Sequence, residues 1–172
     1  MASLMEVLID VLEQESYEYE KLLNLSMEKT PVIVSEDLEK LARITDEEQI
    51  IVSRINNLDN QRVEAINDIA NVLNKDVNNL KIVDLIKMLA ARPEEQEKLA
   101  AVFDKLQENV RSVKRTNEQN RELIQEALEL VQFNMNVLQA MNKAPETANY
   151  NKGAYSTGDM IGSSHKAFDA KQ

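Results

Sequence analysis

Side chains that commonly carry out catalysis or bind metals are few in this sequence and poorly spaced for either task. Cysteine is absent, which excludes disulfides, thiol nucleophiles and thiolate metal sites. The single histidine, His165, follows Gly162, whereas di-iron bundles and histidine phosphotransfer domains need their histidine on a long helix. No glycine-rich phosphate loop and no His–Glu zinc signature occurs. We therefore predict that the chain is not an enzyme and uses no cofactor or metal.

Charged residues form clusters whose simplest interpretation is a solvated helix surface. Adjacent acidic residues recur, as at Glu47 and Glu48. No histidine or other catalytic side chain accompanies them in the sequence, so they do not indicate general acid–base catalysis. One basic cluster could balance acids on neighbouring helices or bind an acidic partner; it contains Arg111, Lys114, Arg115 and Arg121. The net charge of −10 argues against nucleic acid as a partner, because phosphate backbones are bound by clustered lysine and arginine.

Apolar side chains around residue 135 are a candidate binding surface. Methionine side chains are flexible, and they suit an adaptable groove that accepts an amphipathic helix of a partner. Ordinary core packing is the alternative interpretation of the same residues. The predicted groove residues are Leu128, Val131, Met135, Leu138 and Met141, with Phe133 beside them.

Helices must position these residues, because apolar side chains recur at helical spacing along most of the chain. The pattern predicts helices at about 4–28, 36–74, 80–91 and 94–142, with Pro31 marking the break after the first. Asp59 and Arg62 interrupt the apolar face of the second helix. They could form an i, i+3 pair or mark a weak bend, which is the interpretation we favour.

The last helix carries a heptad seam from Leu99 to Met141 that Asn117 and Asn120 interrupt. Buried seam asparagines usually fix the register between helices. At ~1.5 Å per residue this helix is roughly 70 Å long and cannot bury itself. We therefore expect the first two helices to lie antiparallel along it, or a second chain to do so.

Together these patterns predict an all-α fold, an elongated antiparallel helical bundle or coiled-coil hairpin with one long C-terminal helix and a glycine-containing tail. The bundle covers 1–144 and the tail covers 145–172. No apolar run approaches the ~18 residues of a membrane span. The start of the sequence is acidic and lacks a signal-peptide pattern, so we expect no membrane insertion and a cytoplasmic location.

The tail differs from the body in composition. It contains all three glycines of the chain, and its acids and bases balance. We interpret it as a flexible or docked recognition arm, with a disordered terminus and incidental aromatics as the alternative. The candidate recognition residues are Tyr150, Tyr155, Met160, Ile161 and Phe168.

Several stretches make the chain similar to a known family. They are the middle segment LEKLARITDEEQIIVSRINNLDNQR, the long-helix segment RTNEQNRELIQEALELVQFNMNVL, the segment ANYNKGAYSTG and the closing AFDAKQ. With the acidic, leucine-rich first helix, the chain resembles the FlgN-type flagellar export chaperones over nearly its full length. The most specific parts are NEQNRELI-x-x-AL-x-x-V-x-F and the Tyr-x-x-Gly segment with the closing Phe-Asp-x-Lys.

The resemblance implies partners and a mechanism. FlgN-type chaperones bind the hook-filament junction proteins FlgK and FlgL, prevent their premature self-association, and deliver them to the flagellar type III export gate, where FlhA is the docking platform. Two other classes stay open on the residues alone: a self-assembling structural coiled-coil protein with no client, and a regulatory four-helix module. The oligomeric state is open as well, and a homodimer is possible.

Overall fold

The computed structural model describes residues 3–143, and within this range every regular element is a helix. The all-α prediction is confirmed. The helices are α1 (Leu4–Val34), α2 (Leu38–Leu73), α3 (Ile82–Met88) and α4 (Pro93–Asn142), with 3₁₀ turns at Val77–Asn79 and Leu89–Ala91. The chain divides into two compact units, Met1–Leu130 and Val131–Gln172. The domain boundary predicted at residue 145 lies outside the described residues and stays a prediction.

The first helix begins with a capping box and ends later than the sequence suggested. The Glu6 backbone N–H donates to Ser3 Oγ at 3.2 Å, and the Ser3 N–H donates to Glu6 Oε2 at 2.7 Å. Pro31 lies inside α1 rather than after it. Because this proline sits in the final turn, it removes only one backbone hydrogen bond, and the Ser35 N–H still donates to the Pro31 carbonyl at 3.0 Å.

Ion pairs between α1 and α2 fix their direction. Lys29 Nζ lies 2.8 Å from Glu48 Oε2, and Arg62 Nε lies 3.7 Å from Glu15 Oε2. Residue numbers rise along α1 as they fall along α2, so the two helices form an antiparallel hairpin. Arg62 also forms a salt bridge with Asp59, three residues earlier on α2. This is the i, i+3 pair that the sequence offered as the alternative to a weak bend.

Helix α4 runs parallel to α1, which corrects the expectation that both early helices lie antiparallel to it. Its side chains meet α1 in ascending order: Asn109 bonds Ser16, Asn117 bonds Ser26, and Asn120 bonds Thr30. The physical reason is the connection. Helix α2 returns the chain to the start of α1, and the short helix α3 turns it into α4, so the third long helix repeats the direction of the first.

The core of the first unit is aliphatic. Leu8, Leu12 and Leu99 are fully buried, and Leu85 of α3 packs with them. Burial of one leucine side chain stabilises the fold by about 1.5–3 kcal/mol. A smaller cluster joins α1, α2 and α4 through Leu22, Ile51, Ile55 and Val113.

Candidate partner-binding surface

The heptad seam of α4 changes from buried to exposed along its length. Its positions Leu99, Leu106, Val113 and Asn120 are at most 5% exposed, whereas Met141, three heptads beyond Asn120, is 68% exposed. Helix α1 ends at Val34, only four residues after the Thr30 that contacts Asn120. Asn120 is therefore the last seam position that α1 buries.

The last buried layer of the seam is polar. Asn120 donates from Nδ2 to the Ser26 carbonyl at 2.7 Å, and its Oδ1 accepts from the Thr30 hydroxyl at 2.6 Å. Ser26 Oγ donates to Asn117 Oδ1 at 3.0 Å. These bonds hold α1 and α4 in one register, which is the role predicted for a buried seam asparagine such as Asn120. Asn117 contributes one of the bonds although its side chain is exposed.

Beyond this layer α4 has no charged residue between Glu129 and Lys143. The stretch contains neither glycine nor proline, and its two leucines, two methionines, two glutamines and one alanine favour the helix against its three asparagines. Its apolar side chains are nevertheless exposed. Charged residues make up 29% of the whole sequence, so this segment is unusual in lacking them.

The five predicted groove residues all lie on α4 and are all exposed. Their exposed fractions range from 47% for Val131 to 68% for Met141. Phe133, which the sequence places beside them, is 63% exposed. Within the residues the structure describes, none of the six belongs to a core cluster. What they present is the outer surface of one helix.

The predicted basic cluster is divided by the fold. Arg111 and Lys114 line a cleft of about 550 Å³ between α1, α2 and α4, together with Glu15, Asp59 and Arg62. In the described part of the chain, neither Arg111 nor Lys114 forms a salt bridge. Arg115 and Arg121 do not line this cleft; the Arg115 guanidinium contacts Ser112 Oγ at 3.5 Å.

Glu15 is a buried charge that our sequence analysis missed. It is 2% exposed, and its Oε2 has no hydrogen-bond donor among the described residues. Burial raises the pKa of the Glu15 carboxyl; nearby Arg62 lowers it and Asp59 adds to the rise. The signal was present in the sequence, because Glu15 occupies the helical position between the buried Leu12 and the partly buried Tyr19.

Other kinds of site are not evident in the described residues. No helix there is long and apolar enough to cross a membrane. No group of three or more histidine, cysteine, aspartate or glutamate side chains in residues 3–143 is arranged to hold a metal ion. The predicted recognition residues Tyr150, Tyr155, Met160, Ile161 and Phe168 lie outside the described residues.

In residues 3–143 every regular element is a helix, and α4 ends in an uncharged, exposed apolar segment of the kind that helical binding proteins use to contact a partner. The comparison with protein families makes this specific. The family described as FlgN protein matches residues 1–157, and the chain belongs to this family. Membership implies a role as a flagellar export chaperone. No curated protein and no solved structure matches the chain.

Proposed function

We propose that this protein is a cytoplasmic chaperone that binds FlgK- and FlgL-type hook-associated proteins and delivers them to an FlhA-type export gate. The observation that carries the proposal is the apolar, uncharged end of α4. Between Glu129 and Lys143 its side chains are exposed although the same seam is buried up to Asn120. Family membership supplies the flagellar context.

The physical task of such a chaperone fits this surface. A client segment that later assembles with its own kind carries an apolar stripe before export, and that stripe must be covered. An exposed helix rich in Met, Leu and Val can cover the apolar stripe of the client through hydrophobic contacts alone, without ion pairs. Ordering of a disordered client segment costs part of the binding free energy, so the complex can be specific and still dissociate at the export gate.

We assign the contact with the client to Leu128, Val131, Met135, Leu138 and Met141. The tail is assigned a second contact, with the export gate or with the client, through Tyr150, Tyr155, Met160, Ile161 and Phe168. Neither role requires a cofactor or a catalytic group. Delivery is a sequence of binding steps, so we propose no enzymatic activity.

Self-assembly without a client is the competing function, and one observation favours it: the same exposed apolar helix could pair with a second copy. The seam from Leu99 to Asn120 does not favour it, because α1 already covers this seam within one chain. Within the described part of the α4 seam, the stretch from Leu128 to Met141 is left exposed and could form a homodimer contact.

Isothermal titration of the purified protein with purified FlgK- and FlgL-type proteins tests the proposal. We expect one binding event with each client, lost when the client's C-terminal segment is removed. Sedimentation at several protein concentrations is the companion measurement. A stable dimer that binds neither client would replace the chaperone proposal with self-assembly.

A further inference from the structure

The cleft between α1, α2 and α4 is a groove with two walls. One wall is a face of α4, whose lining residues follow the spacing i, i+3, i+4, i+7, i+8 and i+11 from Phe103 to Lys114. At 1.5 Å per residue this wall is about 16 Å long, or three helical turns. The other wall is the stretch of α2 from Ile55 to Arg62, and α1 contributes Glu15. The cleft is therefore elongated, as a groove for a helical segment must be.

The base of the cleft is apolar and one of its edges is polar. Ile55 and Leu106 are buried, and Phe103 and Val110 are half-buried beside them. The α4 residues along the edge are exposed; they are Gln107, Arg111 and Lys114. A hydrophobic groove with polar groups at its edge is the usual binding site for an amphipathic helix.

The acids that line the cleft have their cation on α2. Arg62 forms a salt bridge with Asp59, and its Nε lies 3.7 Å from Glu15 Oε2. Burial is the main cause of the raised pKa of Glu15 and of Tyr19, and the charges that oppose it or add to it all lie on α1 and α2. Three cations and two carboxylates line the cleft, so one positive charge is in excess in a chain whose net charge is −10.

The excess positive charge is on the α4 edge. Arg111 and Lys114 form no salt bridge within the residues that the structure describes, although Glu108 and Glu118 lie within one turn of them. The Glu108 carboxylate instead accepts from the Ser112 hydroxyl at 3.4 Å. Two adjacent cations beside an apolar base are complementary to a helix that carries carboxylates beside its apolar stripe.

We propose that this cleft binds an acidic amphipathic helical segment of a partner protein. Apolar side chains of the segment pack on Ile55, Leu106 and Val110, and its carboxylates pair with Arg111 and Lys114. The net negative charge of the chain repels such a segment elsewhere, so the two cations determine where it binds. Every residue that lines the cleft belongs to the first unit, and the inference does not rest on the function proposed for the end of α4.

Fluorescence anisotropy with the full chain and two labelled synthetic peptides tests this inference. The acidic peptide is a helix of about 18 residues, five turns, with leucine along one face and glutamate on both sides of that face. In the neutral peptide glutamine replaces every glutamate. Arg111→Gln/Lys114→Gln removes the two cations of the edge. Arg115→Gln/Arg121→Gln is the matched control, because it removes two exposed arginines of the same helix that do not line the cleft.

We expect the acidic peptide to bind the wild type and the control variant alike, and to bind Arg111→Gln/Lys114→Gln about five- to thirtyfold more weakly. The neutral peptide should bind the wild type and Arg111→Gln/Lys114→Gln with equal affinity, since neither pair then includes a carboxylate. Added salt should weaken only the binding of the acidic peptide. All three proteins should have the same thermal stability, because the substituted side chains are exposed.

Three results would overturn the inference. The first is no binding of the acidic peptide to the wild type at about 1 mM. The second is an equal loss of affinity in the two double variants, which would mean that general charge and not the cleft attracts the peptide. The third is a wild-type dimer in sedimentation that Arg111→Gln/Lys114→Gln dissociates, since the cleft would then bind a second copy.

Met135→Gln/Leu138→Gln separates this inference from the proposed function. The variant alters the client surface and none of the residues that line the cleft, so it should bind the acidic peptide as the wild type does. If it loses the peptide, the peptide binds at the end of α4 and the inference is wrong. If it keeps both the peptide and the client at full affinity, the proposed client contact is wrong and the inference stands.

Discussion

Asn120 of α4 donates a hydrogen bond to the backbone carbonyl of Ser26 in α1 at 2.7 Å, and it does so from a side chain that is 3% exposed. This bond joins two parallel helices at the last buried layer of the seam. On one side of it α4 is part of a packed core; beyond it Leu123, Ile124 and Ala127 are half-buried, and from Leu128 onward the large apolar side chains are exposed. The layer therefore separates the part of α4 that stabilises the fold from the part that we propose binds clients.

Replacing Asn120 by alanine should destabilise the protein by about 1–3 kcal/mol, because the Ser26 carbonyl loses the bond from Asn120 Nδ2, the half-buried Thr30 hydroxyl loses the closer of its two acceptors, and a void remains. Urea unfolding followed by circular dichroism measures this change in the free energy of unfolding. Gln119→Ala is the matched control on the exposed side and should change it by less than about 0.5 kcal/mol. Equal stability of the two variants would show that the polar layer contributes nothing.

Replacing leucine by alanine should cost much more stability at the buried end of the α4 seam than at its exposed end. Leu99 is fully buried among Leu8, Leu12 and Leu85, so Leu99→Ala should cost about 2–5 kcal/mol. Leu138 is 60% exposed, so Leu138→Ala should cost less than about 0.5 kcal/mol while it weakens client binding. Thermal unfolding of both variants is the measurement, and a large loss of stability in Leu138→Ala would place this residue in a core.

Glu15 should make stability fall as the pH rises. Burial raises the pKa of its carboxyl above the ordinary value of 4.5, so the folded protein binds this proton more tightly than the unfolded chain does. Between 4.5 and the raised pKa the unfolded state binds fewer protons, and the free energy of unfolding therefore decreases with increasing pH. Above the raised pKa the full cost of the buried charge is present.

Glu15→Gln should remove this pH dependence. At pH 7 the variant should be at least as stable as the wild type, by about 0–2 kcal/mol, because an amide replaces a desolvated carboxylate. Urea unfolding between pH 4 and pH 8 measures the difference, with the exposed Glu13→Gln as the control. A variant that is less stable than the wild type at pH 7 would mean that the attraction to Arg62 outweighs the cost of burial.

Backbone amides of residues 131–142 should exchange hydrogen faster than those of residues 106–120. Every side chain of the first stretch is exposed, and helix stability in proteins comes mostly from the packing of buried side chains. Hydrogen exchange read by mass spectrometry compares the two stretches in the free protein. Client binding should then slow exchange in residues 131–142. Equal protection of both stretches in the free protein would contradict the assignment.

Helical periodicity was sufficient to predict the four helices, because apolar spacing and proline positions act locally. The continuation of α1 through Pro31 was not predictable in this way. A proline in the last turn of a helix and a proline just after the helix give the same sequence pattern. The parallel direction of α1 and α4 depends on the connection through α3. Spacing alone carries no information about that direction.

The candidate surface was only partly predictable. Leu138 and Leu99 belong to one heptad pattern, and sequence alone does not tell which of them a neighbouring helix covers. That distinction depends on where α1 ends relative to Asn120, which is a tertiary property. Glu15 was missed for a different reason. Its position in the apolar stripe of α1 is visible in the sequence, but a charged side chain is normally expected at the surface.

Calorimetric titration of the hook-associated client with wild type, Met135→Gln/Leu138→Gln and Gln132→Ala/Asn136→Ala tests the central claim most directly. We expect tight binding by the wild type and by Gln132→Ala/Asn136→Ala, and at least tenfold weaker binding by Met135→Gln/Leu138→Gln at unchanged thermal stability. Equal affinity of all three proteins for the client would contradict the assignment of client binding to the exposed end of α4.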